Sequence, residues 1–240
     1  MAIIRIEHMS EKIIKAQVEQ ITPLTDTIMQ LVLAPEEYVD YHAGQYLQIL
    51  FGDEAFSYSI ANAPLGSHKY ELHIRHSLEN PYNQRLFAHI KEQGSVTIRL
   101  PFGVCSIEHL DAQRPILFIA GGTGFAPVKA MIEQLLSTAA DQRPFELFWG
   151  ARMQNDLYMD EKVNSWQAHV GRFNYFSSLS DENEMPLVSF VLARHPHDLA
   201  AWQIVISGPF DMVYSTRDAL ILHGVAAEHL YSDAFSFEVK

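Results

Sequence analysis

The chain changes rhythm near its middle. Up to residue 103, apolar and polar positions alternate in short runs closed by turn residues: IIKAQVEQITPL (13–24), TIMQLVLA (27–34), QYLQILFG (45–52), FSYSIANA (56–63), KYELHIRHS (69–77) and SVTIRLPFG (95–103). A period of two marks strands with one buried face, and several such runs at near-regular spacing predict a six-stranded, Greek-key-like β barrel. One stretch, NQRLFAHIKEQG (83–94), interrupts them with helical spacing. From residue 115 the strand-like runs PILFIA, FELFWGA, RFNYFSSLS and WQIVISG alternate with helix-like segments, VKAMIEQLLSTAA, MDEKVNSWQAHV, PLVSFVLARH and PFDMVYSTRDALILHG. That alternation predicts a parallel sheet with crossover helices. The polar stretch 108–114 lacks apolar periodicity and marks the join, so the expected domains are a barrel over residues 1–110 and an α/β domain over residues 111–240.

The richest local signal is PILFIAGGTGFAP (115–127). An apolar run of this kind suits a central parallel strand covered on both faces. It ends in Gly121, Gly122, Thr123 and Gly124, followed by a helix-compatible stretch with Pro127 in its first turn. Glycines let a ligand's phosphates approach the backbone, and the helix that follows aims unpaired N–H groups and its dipole at that anion. The loop therefore makes the second half a candidate nucleotide-binding domain. A tight strand-to-helix turn without ligand is the alternative, because proline stands where the third glycine of a GxGxxG motif belongs.

Composition narrows the classes. With 48% hydrophobic and 19% charged residues over 240 positions, the chain reads as globular. A formal net charge of −12 opposes a nucleic-acid partner, which needs a cationic surface that releases counterions. Cys105 is the only cysteine, so an internal disulfide, a thiolate-held iron–sulfur cluster and a four-cysteine zinc site are excluded. No run approaches the roughly 18 apolar residues of a spanning helix. The start MAIIRIEHMSEKIIKAQ lacks a long apolar core and a small-residue cleavage site, so the expectation is a cytoplasmic protein without a membrane partner. No metal site is expected either. His73 and His76 alternate with Ile74 and Arg75 along a strand, which gives no ligand set without further donors, and His195 and His197 read as a loop after a helix.

Seven segments in order, HAGQYLQI, YSIANAP, LPFG, AGGTGFAP, FWGAR, SGPFDM and YSDAFSF, resemble the ferredoxin–NADP reductase superfamily over nearly the whole chain, and most of all its small bacterial NAD(P)H:flavin oxidoreductases. The resemblance implies an oxidoreductase that transfers hydride from NADH or NADPH to FAD, FMN or riboflavin, with flavin as substrate or loosely bound cofactor. It implies that Tyr58 packs against the flavin, that Ser59 is the catalytic hydroxyl facing flavin N5, and that backbone groups of Ile74, together with Arg75, line the flavin's polar edge. Gly121, Gly122, Thr123 and Gly124 would meet the nicotinamide nucleotide. Arg152 would meet its adenosine half or stay a solvated arginine, and Ser207, Gly208 and Pro209 would form the loop beneath nicotinamide. Phe235 would cover the flavin ring or serve as a core phenylalanine.

One position departs from the pattern. Phe56 stands where the superfamily carries arginine. Either Arg75 or Arg85 replaces that cation, or the flavin is held mainly by its ring. Two alternative functions follow: a reductase with tightly held FAD that passes electrons to a separate iron–sulfur or haem protein, and a non-catalytic nucleotide-binding sensor.

Overall fold

The computed structural model describes residues 10–76, 81–182 and 185–237. Its first half is an antiparallel sheet of β1 (Lys12–Pro23), β2 (Ile28–Pro35), β3 (Tyr46–Phe51), β4 (Glu54–Ser59), β5 (Tyr70–Arg75) and β6 (Ser95–Phe102), in the order β4-β3-β6-β1-β2-β5. Placing β6 between β3 and β1 gives the Greek-key connection. The register of β1 on β2 shifts between Val18 and Gln20, a bulge that bends the strand and helps the sheet curl. Alternate residues point inward, and Leu31, Leu33, Leu47, Ile49, Leu72, Ile74 and Ile98 form the barrel core. Closure between the end strands is limited to the bridge Ile60–Leu72 and the bond from Ala61 N–H to the Glu71 carbonyl at 2.7 Å. The expected six-stranded barrel is thus split along the facing edges of β4 and β5.

Helix α1 (Pro81–Gln93) covers one end of the barrel through Leu86 and Ile90, four residues apart on one face. Gly94, at φ 65°, takes the left-handed conformation that ends the helix and donates its N–H to the Ile90 carbonyl at 2.8 Å.

The second half is a parallel sheet in the order β11-β10-β7-β8-β9, from β7 (Ile116–Gly121), β8 (Phe145–Ala151), β9 (Phe173–Leu179), β10 (Gln203–Ser207) and β11 (Leu230–Tyr231). Every residue of β7 is buried. Ile116, Phe118 and Ala120 face α2 (Phe125–Ser137) and α3 (Asp160–His169), while Leu117 and Ile119 face α4 (Leu187–Arg194) and α5 (Phe210–Leu222). This two-sided burial is why the strand reads as an unbroken apolar run. Cys105, Ile107 and Leu110, which precede the expected boundary at 110, pack in the core beneath α2. Among the described residues no helix is long and apolar enough to cross a membrane.

Candidate functional site

The split of the barrel opens onto the carboxyl ends of β7, β8 and β10. Between them lies a cleft of about 940 Å³. The barrel contributes Ser57, Tyr58 and Ser59 from β4 and His73 and Arg75 from β5, one set from each side of the split. Among the described residues, beyond the Ile60–Leu72 bridge, neither β4 nor β5 has a strand partner on its outer edge. Uncovered edge backbone requires hydrogen-bonding partners. Tyr58 is half-buried against the barrel core, and burial pushes its hydroxyl up to about 12, so it stays protonated. The Ser59 backbone sits opposite Tyr46, and among the described residues its hydroxyl has no protein partner.

The α/β half contributes the glycine loop, the end of β8 and the turn after β10. The three glycines differ in purpose. A Cβ on Gly124 would stand 2.2 Å from the Ser207 carbonyl oxygen, and one on Gly121 would stand 2.5 Å from Met212 Sδ. These two lack side chains so that neighbouring loops can pack. Gly122 alone combines φ 54° with a Cβ direction that faces the barrel, where the nearest atom is Arg75 Nη2 at 3.1 Å. Arg75 therefore reaches across the cleft to the glycine loop, and among the described residues no carboxylate pairs with it. Trp149 Nε1–H donates to the Gly122 carbonyl at 3.0 Å and fixes the loop from behind.

Most of the residues singled out by resemblance meet in this cleft: Tyr58, Ser59, Arg75, Gly121, Gly122, Thr123, Gly124, Arg152, Ser207, Gly208 and Pro209. Arg152 lies at the far end with its side chain 77% exposed and its Nε 3.8 Å from Asp181 Oδ1, a loose pair. Of the remaining two, Ile74 is expected to contribute backbone groups only, and Phe235 lies elsewhere. The Ile74 side chain is in the barrel core, leaving only its backbone toward the split edge. Phe235 packs on the α/β core beside Tyr214 and Arg217. It is Phe237, with Phe210, that lines a second cavity of about 400 Å³, shared with Ser57, Ser59, Ser207 and Gly208. The turn Asp233–Phe237 rotates the two aromatics to different sides, which a strand-like reading of the segment does not foresee.

Phe56 packs against Tyr82 at the start of α1, ring centroids 6.0 Å apart. Arg85 lies over Tyr82 and pairs with Glu54 at 3.0 Å. Of the two proposed substitute cations, only Arg75 lies in the cleft. Both ring nitrogens of His73 are engaged: its Nε2 bonds Glu71 at 2.7 Å and its Nδ1 meets the Tyr158 hydroxyl at 3.0 Å. Lys129, Glu71 and Tyr158 lie outside the seven motif segments, and Phe237 ends YSDAFSF, the segment in which the resemblance points to Phe235 instead.

A split Greek-key barrel whose open edge faces the phosphate loop of a parallel sheet is the architecture of the ferredoxin–NADP reductase superfamily. Residues 118–218 match the family described as oxidoreductase NAD-binding domain. The NAD(P)H-flavin reductase of Aliivibrio fischeri is 31% identical over 235 residues, covering 93% of this chain and 99% of its own length. The chain therefore belongs to the ferredoxin–NADP reductase superfamily, in the same family as that relative. The CDP-6-deoxy-L-threo-D-glycero-4-hexulose-3-dehydrase reductase of Yersinia pestis is 32% identical over 213 residues, 87% of this chain, and the chain spans only 64% of that relative. In fold it is similar to the ferredoxin reductase of carbazole 1,9a-dioxygenase, with a TM-score of 0.79 at 21% identity over 95% of this chain and 70% of the other.

Proposed function

We propose that this chain is an NAD(P)H-dependent flavin reductase that takes a reduced nicotinamide nucleotide and FMN, FAD or riboflavin into the interdomain cleft. The observation that carries the reading is the juxtaposition of the split barrel edge, with Ser59 at its lip, and the glycine loop across one cleft. Flavin supplies the hydride acceptor. The chain's work is to hold two rings in a reactive stack and keep water out, which alone accounts for much of the acceleration in such reactions. Tyr58 offers a face for the flavin ring. The Ser59 hydroxyl is a donor aimed at developing negative charge. Gly122 and the start of α2 receive the nicotinamide nucleotide's pyrophosphate, and Arg75, between loop and barrel, adds the cation that an acidic chain must supply locally.

The test is NADH and NADPH oxidation by the purified chain with and without added flavin. Turnover that requires added flavin supports this reading. A second reading, FAD held tightly and electrons passed to an iron–sulfur or haem protein, draws support from similarity to a reductase component of terephthalate 1,2-dioxygenase, 32% identical over 88% of this chain. A chain that stays yellow after extensive dialysis and needs no added flavin selects it. Nucleotide binding without turnover on any flavin selects the sensor.

A further inference from the structure

Helix α2 does more than present the glycine loop. Lys129 stands on it with its side chain 1% exposed. Its Nζ lies 2.8 Å from the Ala61 carbonyl oxygen, 2.9 Å from Glu133 Oε1 and 3.3 Å from Glu71 Oε2. An ammonium has three N–H donors, and each finds an acceptor. Two of these acceptors belong to the barrel. Ala61 follows Ser59 by two positions, and Glu71 lies on β5 upstream of His73 and Arg75.

The next turn of α2 repeats the grip. Glu133 Oε2 accepts the Ala63 N–H at 3.2 Å, while its other oxygen pairs with Lys162 of α3 at 3.1 Å. Glu71 Oε1 accepts from Gln30 at 2.8 Å and bonds His73 Nε2, whose opposite nitrogen meets Tyr158. Tyr158 packs edge-on against Trp149, the residue that anchors Gly122. Burial resists ionisation of Glu71, yet the His73 bond, the Lys129 charge and Gln30 outweigh it and hold the carboxyl down at about 2. Burial keeps His73 neutral, so it donates from Nε2 to Glu71 and accepts the Tyr158 O–H at Nδ1. Two carboxylates face two ammonium groups, and every bond has one direction.

Parting the halves by even an ångström would strip the buried Lys129 ammonium of its two barrel acceptors, Ala61 and Glu71, and breaking one side of such a buried pair is far costlier than never having buried it. Hydride transfer between stacked rings is sensitive to displacements on that scale. We propose that Lys129, Glu71 and His73 form a positioning clamp that sets the open edges of β4 and β5 against the glycine loop and so fixes the gap across which hydride passes. The clamp's effect on rate rests on the flavin reductase reading; its effect on the relative placement of the halves does not. Lys129 and Glu71 line no part of the cleft, so they act through the elements they hold.

The test compares Lys129→Met, Lys129→Arg and the double variant Lys129→Met/Glu71→Gln in two readouts. The first is the distance distribution between spin labels on Ile13→Cys in the barrel and Leu222→Cys in the α/β half, positions 63% and 84% exposed, with Cys105 buried and unlabelled. The second separates kcat from the Kd values of NADH and flavin. Lys129→Met should broaden the distribution and lower kcat by about tenfold or more while each Kd stays within about twofold, because positioning acts on the reaction step rather than on either ligand alone. Lys129→Arg should restore both, and the double variant should lose less than the sum of its parts, as coupled groups do. A distribution as narrow as the wild type's, with unchanged kcat per folded molecule, would overturn the clamp. If Lys129→Met does not fold, Glu71→Gln carries the same two readouts. If the wild type turns over no flavin, the functional reading fails, and the label distances alone still decide the clamp.

Discussion

In the proposed reaction Ser59 is the residue on which the chemistry turns. Its hydroxyl lies at the lip of both cavities with no protein partner among the described residues, so it is available to a ligand. Ser59→Ala should lower the rate of flavin reduction by roughly 100- to 1,000-fold, the usual cost of losing one preorganised donor, and leave nicotinamide affinity nearly unchanged. Stopped-flow reduction of flavin under anaerobic conditions reads this; an unchanged rate would assign Ser59 to the barrel alone. At this scale the sequence is a partial guide. The glycine motif located the loop, yet two of its glycines are required by close packing, a fact that depends on Ser207 and Met212 arriving from 83 and 91 residues away in the chain. Nothing in the sequence sets Lys129 apart, because its acceptors Ala61 and Glu71 lie 68 and 58 residues distant and leave no local trace.

Strands and helices were legible where one face is buried. The periods of two and 3.6 are imposed by that burial, and the fully buried β7 announced itself as an unbroken apolar run. Strand order was not legible, since it depends on which edges pair. The two-residue β11 is too short to carry a period. Nor did the sequence mark the anchor between β8 and the end of α4, where His195 Nε2 meets Glu146 at 2.8 Å and Nδ1 meets Asp198 at 3.1 Å. Burial alone would lower the imidazole's pKa, but hydrogen bonds and charge from Glu146 and Asp198 raise it above 6.5. The folded state therefore binds this proton more tightly than the unfolded chain. The contribution is fully present below the unfolded value and is lost as pH rises through the elevated folded one. Thermal melting from about pH 6 to about pH 9 should show that loss in the wild type and its absence in His195→Gln; parallel curves would remove His195 from the pH dependence.

For the molecule as a whole, the question is how a chain of net charge −12 holds two phosphorylated ligands. Phe56 supplies no charge to a flavin tail, and Arg85 is engaged with Glu54. Riboflavin, FMN and FAD should accordingly bind within about tenfold of one another, a spread of roughly 1.4 kcal/mol. Phe56→Arg should improve FMN and FAD over riboflavin, because only those two present phosphate to a guanidinium. Titration of all three flavins at two salt concentrations measures the effect, and strong phosphate discrimination in the wild type would assign the tail to Arg75.

The central claim is hydride transfer across the cleft between the barrel split and the glycine loop. Its most direct test follows NADH absorbance with purified wild type and Gly122→Val, with and without added FMN. A β-branched residue at φ 54° would be strained and would project toward Arg75, so the variant should lose nicotinamide binding while its barrel stays folded. The account predicts that the wild type consumes NADH only when flavin is added and that Gly122→Val does not. Turnover by Gly122→Val at the wild-type rate, or none by the wild type with any flavin or with NADPH, would contradict it.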